Sequence, residues 1–266
     1  MKKTLFALLA LLLVLSLAAC GEPTSIETLS PEVLESAPVE TPEPTVEPTP
    51  ESTEESTPEP VVVFTDPVLE ELVRKAMDKP EGDITLAEAA AVKDLNMEME
   101  GAAPLARVAD VSDLKQFPNL TGLNLNWALS DGDGVFDISP LAGLTKLECL
   151  YVCCTNINDI SALAGMTNMK DLWIWGNNIT DISALAGMTQ MESLWIKGNQ
   201  ITNISTLANM KNLVYLYMED NHVADLSPLA GLSKLTHILL SGNPATDYSP
   251  LEDVYPNLEE KDFEMK

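Results

Sequence analysis

Basic residues are scarce in this chain of 266 residues, which has 15 Lys and Arg against 41 Asp and Glu and a formal net charge of −26. Residues 61–266 alone contain 30 acidic and 13 basic side chains, a balance of −17. Nucleic-acid phosphates require a basic surface, so this composition argues against a DNA or RNA partner. It argues equally against adhesion to anionic lipid through charge alone.

The sequence also has no apolar run long enough to cross a membrane. The longest, from Leu5 to Leu17, has about 13 residues, whereas a transmembrane helix needs about 20. It follows two lysines and ends in small residues before Cys20, the order of a secretory signal peptide. The letters "LAAC" (17–20) resemble a bacterial lipobox, which implies cleavage before Cys20 and lipidation of its thiol. The alternative is an ordinary signal peptide with a chance cysteine.

Cysteine and histidine are rare, with four and two copies. Cys149, Cys153 and Cys154 lie in one stretch, but Cys149 and Cys153 are about 13 Å apart along an extended strand, too far for a disulfide. We therefore expect three thiols; the alternative is a strained bridge between the neighbours Cys153 and Cys154. His237 lies about 19 Å from Cys149 if both are on one sheet. The sequence thus predicts neither a Cys–His nucleophile nor a Cys/His metal site.

The segment "DGDGVFD" (131–137) contains Asp131, Asp133 and Asp137 and has a faint likeness to a calcium-binding loop. Its glycine and the distant glutamate are misplaced for that motif, so we interpret it as a flexible acidic turn. No phosphate loop, serine triad or carboxylate pair stands out in the sequence. We therefore expect no metal, no cofactor and no enzymatic activity.

Residues 21–60 consist mostly of Pro, Glu, Thr and Ser, with 11 Glu and no Lys or Arg. Such a stretch cannot bury enough apolar surface to offset its chain entropy, so we predict that it is disordered. Its prolines favour extended conformations, which reach up to roughly 120 Å for about 40 residues. We interpret residues 20–60 as a lipidated cysteine followed by a stalk. A phosphorylated or glycosylated ligand segment is the alternative.

The rest of the chain repeats with a period of 22 residues. Successive units read "GLTKLECLYVCCTNINDISALA" (143–164), "GMTNMKDLWIWGNNITDISALA", "GMTQMESLWIKGNQITNISTLA", "NMKNLVYLYMEDNHVADLSPLA" and "GLSKLTHILLSGNPATDYSPLE". A longer unit begins at Leu120, and a degenerate one passes through Val92, Leu95, Met97, Val111 and Leu114. Such self-similarity predicts a solenoid in which each unit adds one short strand to a parallel sheet.

The pattern L-x-x-L-x-L-x-x-N, with an apolar residue two positions later, resembles the leucine-rich repeat. The 22-residue period with "ITDISALAG" resembles the internalin type, and "FTDPVLEELVRKAMDKPEGDITLAEAAAV" resembles the helical cap of that family. The resemblance covers about residues 64–266. It implies an α/β solenoid: a leucine-rich-repeat horseshoe with a parallel concave sheet, short 3-10 or helical turns on the convex side, and an N-terminal helical cap.

Four segments follow from these patterns: a signal peptide (1–19), a lipidated cysteine and stalk (20–60), a helical cap (61–94) and leucine-rich repeats (95–266). An amphipathic helix is predicted over 66–79, with Asp66 as its N-cap and Pro67 in its first turn. Asparagines at one turn of each unit are expected to bond neighbouring backbones: Asn177, Asn199, Asn221 and Asn243. Serines are expected to cap the convex turns: Ser161, Ser183, Ser205, Ser227 and Ser249.

The repeat register predicts which side chains line the concave face. Leucines point inward, so the residues between them point to the other side, and the two tryptophans Trp173 and Trp195 should be exposed. Exposed rings in adjacent strands would form a larger apolar patch than a monomer normally presents. The candidate ligand-binding residues are therefore Tyr151, Trp173, Trp175, Trp195, Tyr215 and Tyr217. The alternative is that these rings only stabilise the sheet.

The sequence thus predicts a non-enzymatic leucine-rich-repeat module that binds a protein partner through an aromatic concave face. A second hypothesis is capture of a glycan by the same rings, since indoles stack on sugars. The lipid on Cys20 would hold the protein on the extracytoplasmic face of the cell membrane, and the resemblance implies a Gram-positive surface.

Overall fold

The computed structural model describes residues 59–97, 107–126, 128 and 134–265. The signal peptide, Cys20 and the stalk up to residue 58 lie outside the described residues, as do Asp131 and Asp133 of the acidic loop. Lipidation of Cys20, disorder of the stalk and the conformation of that loop therefore stay predictions.

Eight short parallel strands form one sheet in the described part of the chain, and each pairs with its neighbours in sequence order. They are β1 Asp94–Asn96, β2 Gly122–Asn124, β3 Cys149–Tyr151, β4 Asp171–Trp173, β5 Ser193–Trp195, β6 Tyr215–Tyr217, β7 His237–Leu239 and β8 Glu260–Lys261. From β3 to β7 the paired residues are 22 positions apart, as in Leu150 with Leu172 and Leu172 with Leu194. The predicted leucine-rich-repeat sheet is confirmed.

The core is a stack of aliphatic side chains behind this sheet. The middle residue of each strand from β1 to β7 is buried: Leu95, Leu123, Leu150, Leu172, Leu194, Leu216 and Ile238. Complete burial of such a side chain stabilises the fold by about 1.5–3 kcal/mol. Met97, Val111 and Leu114 are buried as well, so the degenerate first unit belongs to the same core.

Short 3-10 turns follow the strands on the opposite side of the solenoid: Ser112–Gln116, Ser139–Gly143, Ser161–Gly165, Ser183–Gly187, Ser205–Asn209, Ser227–Leu229, Ser249–Leu251 and Tyr255–Asn257. The prediction that serines cap these turns is wrong, because Ser161 is the first residue of its turn and no side chain caps that turn. Instead, Asp159 accepts the backbone N–H of Ser161 at 2.8 Å. The acidic or amide residue two positions earlier does the same at Ser183, Ser205, Ser227 and Ser249.

The predicted asparagine ladder is present. Asn199 Nδ2 donates to the carbonyls of Ile196 at 2.9 Å and Ile174 at 3.1 Å, and Asn199 Oδ1 accepts the N–H of Ile179 at 3.0 Å. Each amide therefore joins its own turn to the preceding unit. Equivalent bonds occur at Asn177, Asn221 and Asn243. Where Thr155 replaces the asparagine, its hydroxyl donates to Asn177 Oδ1 at 3.2 Å.

Two helices precede the sheet, α1 Pro67–Ala76 and α2 Leu86–Ala91. Asp66 caps α1 as predicted, since one carboxylate oxygen accepts the N–H groups of Val68 at 2.8 Å and Leu69 at 3.0 Å. Its other oxygen accepts the N–H groups of Ala109 at 2.7 Å and Asp110 at 3.1 Å. This second pair joins the cap to the first repeat. None of the described helices is long and apolar enough to span a bilayer.

The cysteines differ from the expectation of three thiols. Cys149 is disulfide-bonded, so that expectation is wrong at this position. The distance that rules out a Cys149–Cys153 bond places no limit on a partner elsewhere in the chain. Cys153 and Cys154 are thiols. The Cys153 Sγ is buried and donates to the Trp173 carbonyl at 3.6 Å.

Candidate functional site: the aromatic concave face

Four aromatic rings lie side by side across strands β3 to β6, and we call them the aromatic ladder: Tyr151, Trp173, Trp195 and Tyr217. Each is the last residue of its strand and follows an inward-pointing leucine. Successive ring centroids are 4.7, 4.5 and 4.3 Å apart. Neighbouring strands lie about 4.8 Å apart, so flat side chains at equivalent positions come into stacking contact. The predicted aromatic column is therefore confirmed.

The exposure expected of these rings is wrong for Tyr151 and Trp173, of which only 4% is exposed, and for Tyr217, of which 7% is exposed. Trp195 is half-buried. Trp173 has the Tyr151 ring on one side and the Trp195 ring, inclined by only 26°, on the other. A ring held between two others presents mainly its edge to solvent. Strand alternation gives the direction of a side chain, but it does not give the cover that large neighbours provide.

The polar atoms of the ladder bond to the adjacent column of side chains. Asp171 accepts the hydroxyl of Tyr151 through Oδ2 and the Nε1–H of Trp173 through Oδ1, both at 2.8 Å. Ser193 Oγ accepts the Nε1–H of Trp195 at 3.1 Å and donates to Asp171. These bonds fix the orientation of three rings and engage both indole N–H groups within the protein.

The ladder lies in acidic and desolvated surroundings. Burial raises the pKa of the Asp171 carboxyl, although hydrogen bonds from Tyr151, Ser193 and Trp173 act in the opposite direction. The Tyr217 hydroxyl donates to Glu260 Oε2 at 2.8 Å. Burial, followed by this bond to Glu260, raises the pKa of Tyr217 as well. The carboxyl oxygens of Asp171 and Glu260 thus accept hydrogen bonds from the rings of the ladder.

Two further candidates, Tyr215 and Trp175, lie on either side of the ladder. Tyr215 is 38% exposed, and its ring rests on that of His237 with centroids 4.7 Å apart. Trp175 is half-buried beyond the end of β4. The six predicted residues thus share one face, but Tyr215 is the most exposed of them. Their role in binding stays a prediction.

Glu260 was not among the candidate residues. It pairs with His237, which lies 23 residues earlier, one more than the repeat period. Alignment of the sequence at the 22-residue period therefore does not show that Glu260 stands in the column of Tyr215 and His237. The extra residue in the last unit is the only signal in the sequence for this shift.

Ligands for a metal ion are not grouped in the described part of the chain, where no three His, Cys, Asp or Glu side chains are close enough to hold one. The His237 ring contacts Thr236 Oγ1 at 2.8 Å, and its Nε2 is 4.0 Å from Glu259 Oε2. The surface is built of rings, hydroxyls and carboxylates, which can form contacts with a ligand.

Comparison with known proteins identifies the type of repeat. Residues 167–209 match the family model for leucine-rich repeats in two copies. The chain is similar to an internalin (inlF) from Listeria monocytogenes, with 34% identity and a TM-score of 0.67 over 79% of this chain and 59% of that one. It is also similar to internalin C2 (inlC2) from the same species, with 30% identity and a TM-score of 0.62 over 78% of this chain and 99% of that one. No curated protein sequence matches.

This chain spans 59% of the length of the first internalin and nearly the whole of the second, at 99%. The likeness agrees with the 22-residue units, the sheet of parallel strands in chain order and the short 3-10 turns described above. An internalin-like repeat fold indicates a protein-interaction module. The chain belongs to the internalin family of leucine-rich-repeat proteins.

Proposed function

We propose that this protein is a non-enzymatic, surface-anchored module that binds a protein partner through its concave face. The observation that supports binding is the aromatic ladder with Tyr215 exposed beside it. Rings surrounded by polar side chains are the usual centre of a protein interface. Because stacking and hydrogen bonds already fix the rings, little side-chain freedom is lost on binding.

Glycan capture has less support than protein binding. A sugar ring stacks on the open face of an indole, but Trp173 has rings on both sides and Trp195 stacks between Trp173 and Tyr217. Their Nε1–H groups are bonded to Asp171 and Ser193. Edges, hydroxyls and carboxylates are what this surface presents, and these suit the side chains of a protein.

Anchoring rests on the sequence before the folded unit. A lipid on Cys20, followed by the stalk of residues 21–60, would hold the repeats away from the membrane on its extracytoplasmic face. The acidic chain gains nothing from anionic lipid headgroups, so the acyl chains would provide the attachment.

Capture of surface proteins by the purified mature chain tests the proposed function. The chain carrying residues 20–266 is cross-linked to an extract of cell-surface proteins, and bound proteins are quantified by mass spectrometry. We expect a partner that the wild type enriches at least tenfold over Tyr215→Ala, with thermal melting to verify that the variant is folded. Asp225→Ala on a convex turn is the matched control and should retain the partner. A set of captured proteins that is the same for Tyr215→Ala and wild type contradicts the proposal, and binding on a glycan array instead supports the second hypothesis.

A further inference from the structure

Acidic side chains surround the C-terminal part of the ladder, and with Tyr215 they form a surface that we call the acidic patch: Tyr215, Glu219, Glu259 and Glu260. Strand alternation places Tyr215, Tyr217 and Glu219 on the same face of the sheet. Glu260 reaches this face from β8, where its Oε2 accepts the Tyr217 hydroxyl at 2.8 Å. The Glu259 side chain is largely exposed. The patch therefore combines one exposed ring with three carboxylates.

Glu219 is the buried member of the acidic patch, with 8% of its side chain exposed. Its Oε1 is 2.9 Å from Lys197 Nζ, whereas its Oε2 has no hydrogen-bond partner among the described residues. A buried carboxylate oxygen without a donor is costly. Lys197, whose side chain is half exposed, contacts only one oxygen of the Glu219 carboxylate. The other oxygen therefore lacks a donor. A donor from a ligand would complete it once the Glu219 side chain turns outward, because this oxygen itself has almost no exposed surface.

The charged residues near the acidic patch also favour a positively charged group of a partner. Lys261 is turned toward the Tyr255 ring, with its Nζ 4.8 Å from the ring centroid. Asp262 accepts the backbone N–H groups of Leu240 and Ser241, both at 2.8 Å. Residues 61–266 have a balance of −17, so a basic partner gains attraction at long range as well as at contact.

We propose that the acidic patch binds a basic segment of the protein partner, with arginine or lysine side chains placed against the Tyr215 ring and toward Glu219 and Glu260. A guanidinium or ammonium group stacks favourably on a tyrosine face. Its N–H groups form the strongest hydrogen bonds with carboxylates, and a guanidinium can bind both oxygens. Glu219 lies two residues beyond the end of β6 and four residues after Tyr215, about 13 Å along an extended chain, so two basic side chains of an extended segment match the patch better than one. This inference rests on the proposed function and names the chemistry of the partner.

A fluorescein-labelled peptide of eight arginines is the probe, and the same peptide made of glutamines is its neutral counterpart. Binding to the full mature chain is measured by fluorescence anisotropy. We expect Glu260→Gln, Glu219→Gln and Tyr215→Ala each to weaken arginine-peptide binding at least fivefold, while Tyr215→Phe keeps it. Glu252→Gln removes the same charge from an exposed site after a convex turn and should change binding less than twofold. A loss in Glu252→Gln equal to that in Glu260→Gln means that binding follows net charge and overturns the patch.

Lys197 provides a variant of opposite sign. Lys197→Met removes the residue that competes for Glu219, so the arginine peptide should bind at least threefold more tightly. Lys234→Met is the matched control and should shift binding less than Lys197→Met does. Equal tightening in the two variants overturns the role of Glu219.

The proposed function and this inference fail differently. If a captured surface protein requires Tyr215 but is not displaced by the arginine peptide, protein binding stands and the basic segment is overturned. If no surface protein is captured while the peptide still requires Glu260 and Tyr215, the patch is supported as a cation site and the proposed function fails.

Discussion

Trp173 stands on the concave face of the sheet and is nevertheless buried, because the residues at the same position in the adjacent strands are also aromatic. Trp173→Ala would remove contacts on both sides and leave a gap in the ladder. We expect it to lower the free energy of unfolding by about 3–4 kcal/mol, against about 1–2 kcal/mol for Trp195→Ala, whose ring is half-buried. Urea denaturation measures both.

Leu172→Ala is the control for this prediction, because the adjacent leucine points into the core and should cost about 2–5 kcal/mol. Losses below about 1 kcal/mol for both tryptophan variants would show that the ladder contributes no more than ordinary cross-strand pairs.

Asp171 gives the ladder a dependence on pH. Its pKa is raised in the folded protein, mainly by burial, so the folded state holds the proton more tightly than the unfolded chain. The resulting stabilisation is fully present below the ordinary pKa of 3.8 and is lost as the pH rises through the raised value. We expect the difference in free energy of unfolding between wild type and Asp171→Asn to decrease from about pH 3 to about pH 7. A difference that grows with pH would contradict this.

At the scale of elements, Asp66 links the helical cap to the repeats through four backbone N–H groups. Loss of an N-cap costs about 1 kcal/mol, and each further bond to a charged group adds to that. We expect Asp66→Ala to lower the free energy of unfolding by about 2–4 kcal/mol, and hydrogen exchange to accelerate first in β1 and β2 because each repeat is supported by its neighbours. Asp225→Ala, which loses only the backbone and side-chain bonds to Ser227 in an exposed turn, should cost less than about 1 kcal/mol.

The Asp66 carboxylate responds to pH in the opposite direction to Asp171. Burial raises its pKa, but the bonds from Leu69, Ala109, Asp110 and Val68 together outweigh burial, and the pKa is lowered. Its contribution is therefore present above the ordinary pKa of 3.8 and is lost as the pH falls through the lowered value. The stability difference between wild type and Asp66→Asn should shrink below about pH 4, as acid denaturation curves can show.

The repeating sequence pattern correctly predicted the elements whose contacts recur in every unit. The 22-residue period predicted the strands and the asparagine ladder, because the same side chain meets the same backbone groups in every unit. The serine caps were predicted wrongly, because Asp159 and its equivalents lie two residues earlier and accept the same N–H groups. Both the aspartate and the serine are visible in the sequence. The geometry of the turn decides which of the two side chains accepts the backbone N–H group.

For the whole molecule, the periodicity predicts a solenoid and the direction of its faces, and it fails for contacts made once. The hydrogen bond between Asp66 and Ala109 and the one between Tyr217 and Glu260 each join residues that are 43 positions apart. Neither bond recurs with the 22-residue period, so the repeat does not predict it. The acidic patch depends on the second of them, so its residues could be assembled only from the folded chain.

The proposed lipid anchor determines where the whole molecule resides, and Cys20→Ser tests it. Lipidation forms a thioether at Cys20, so we expect the wild type to partition into the detergent phase of a Triton X-114 extraction as a processed, lipid-modified protein. The variant should remain unprocessed or be released. If Cys20→Ser partitions into detergent at the same processed mass as the wild type, the anchor lies elsewhere and the lipobox interpretation is wrong.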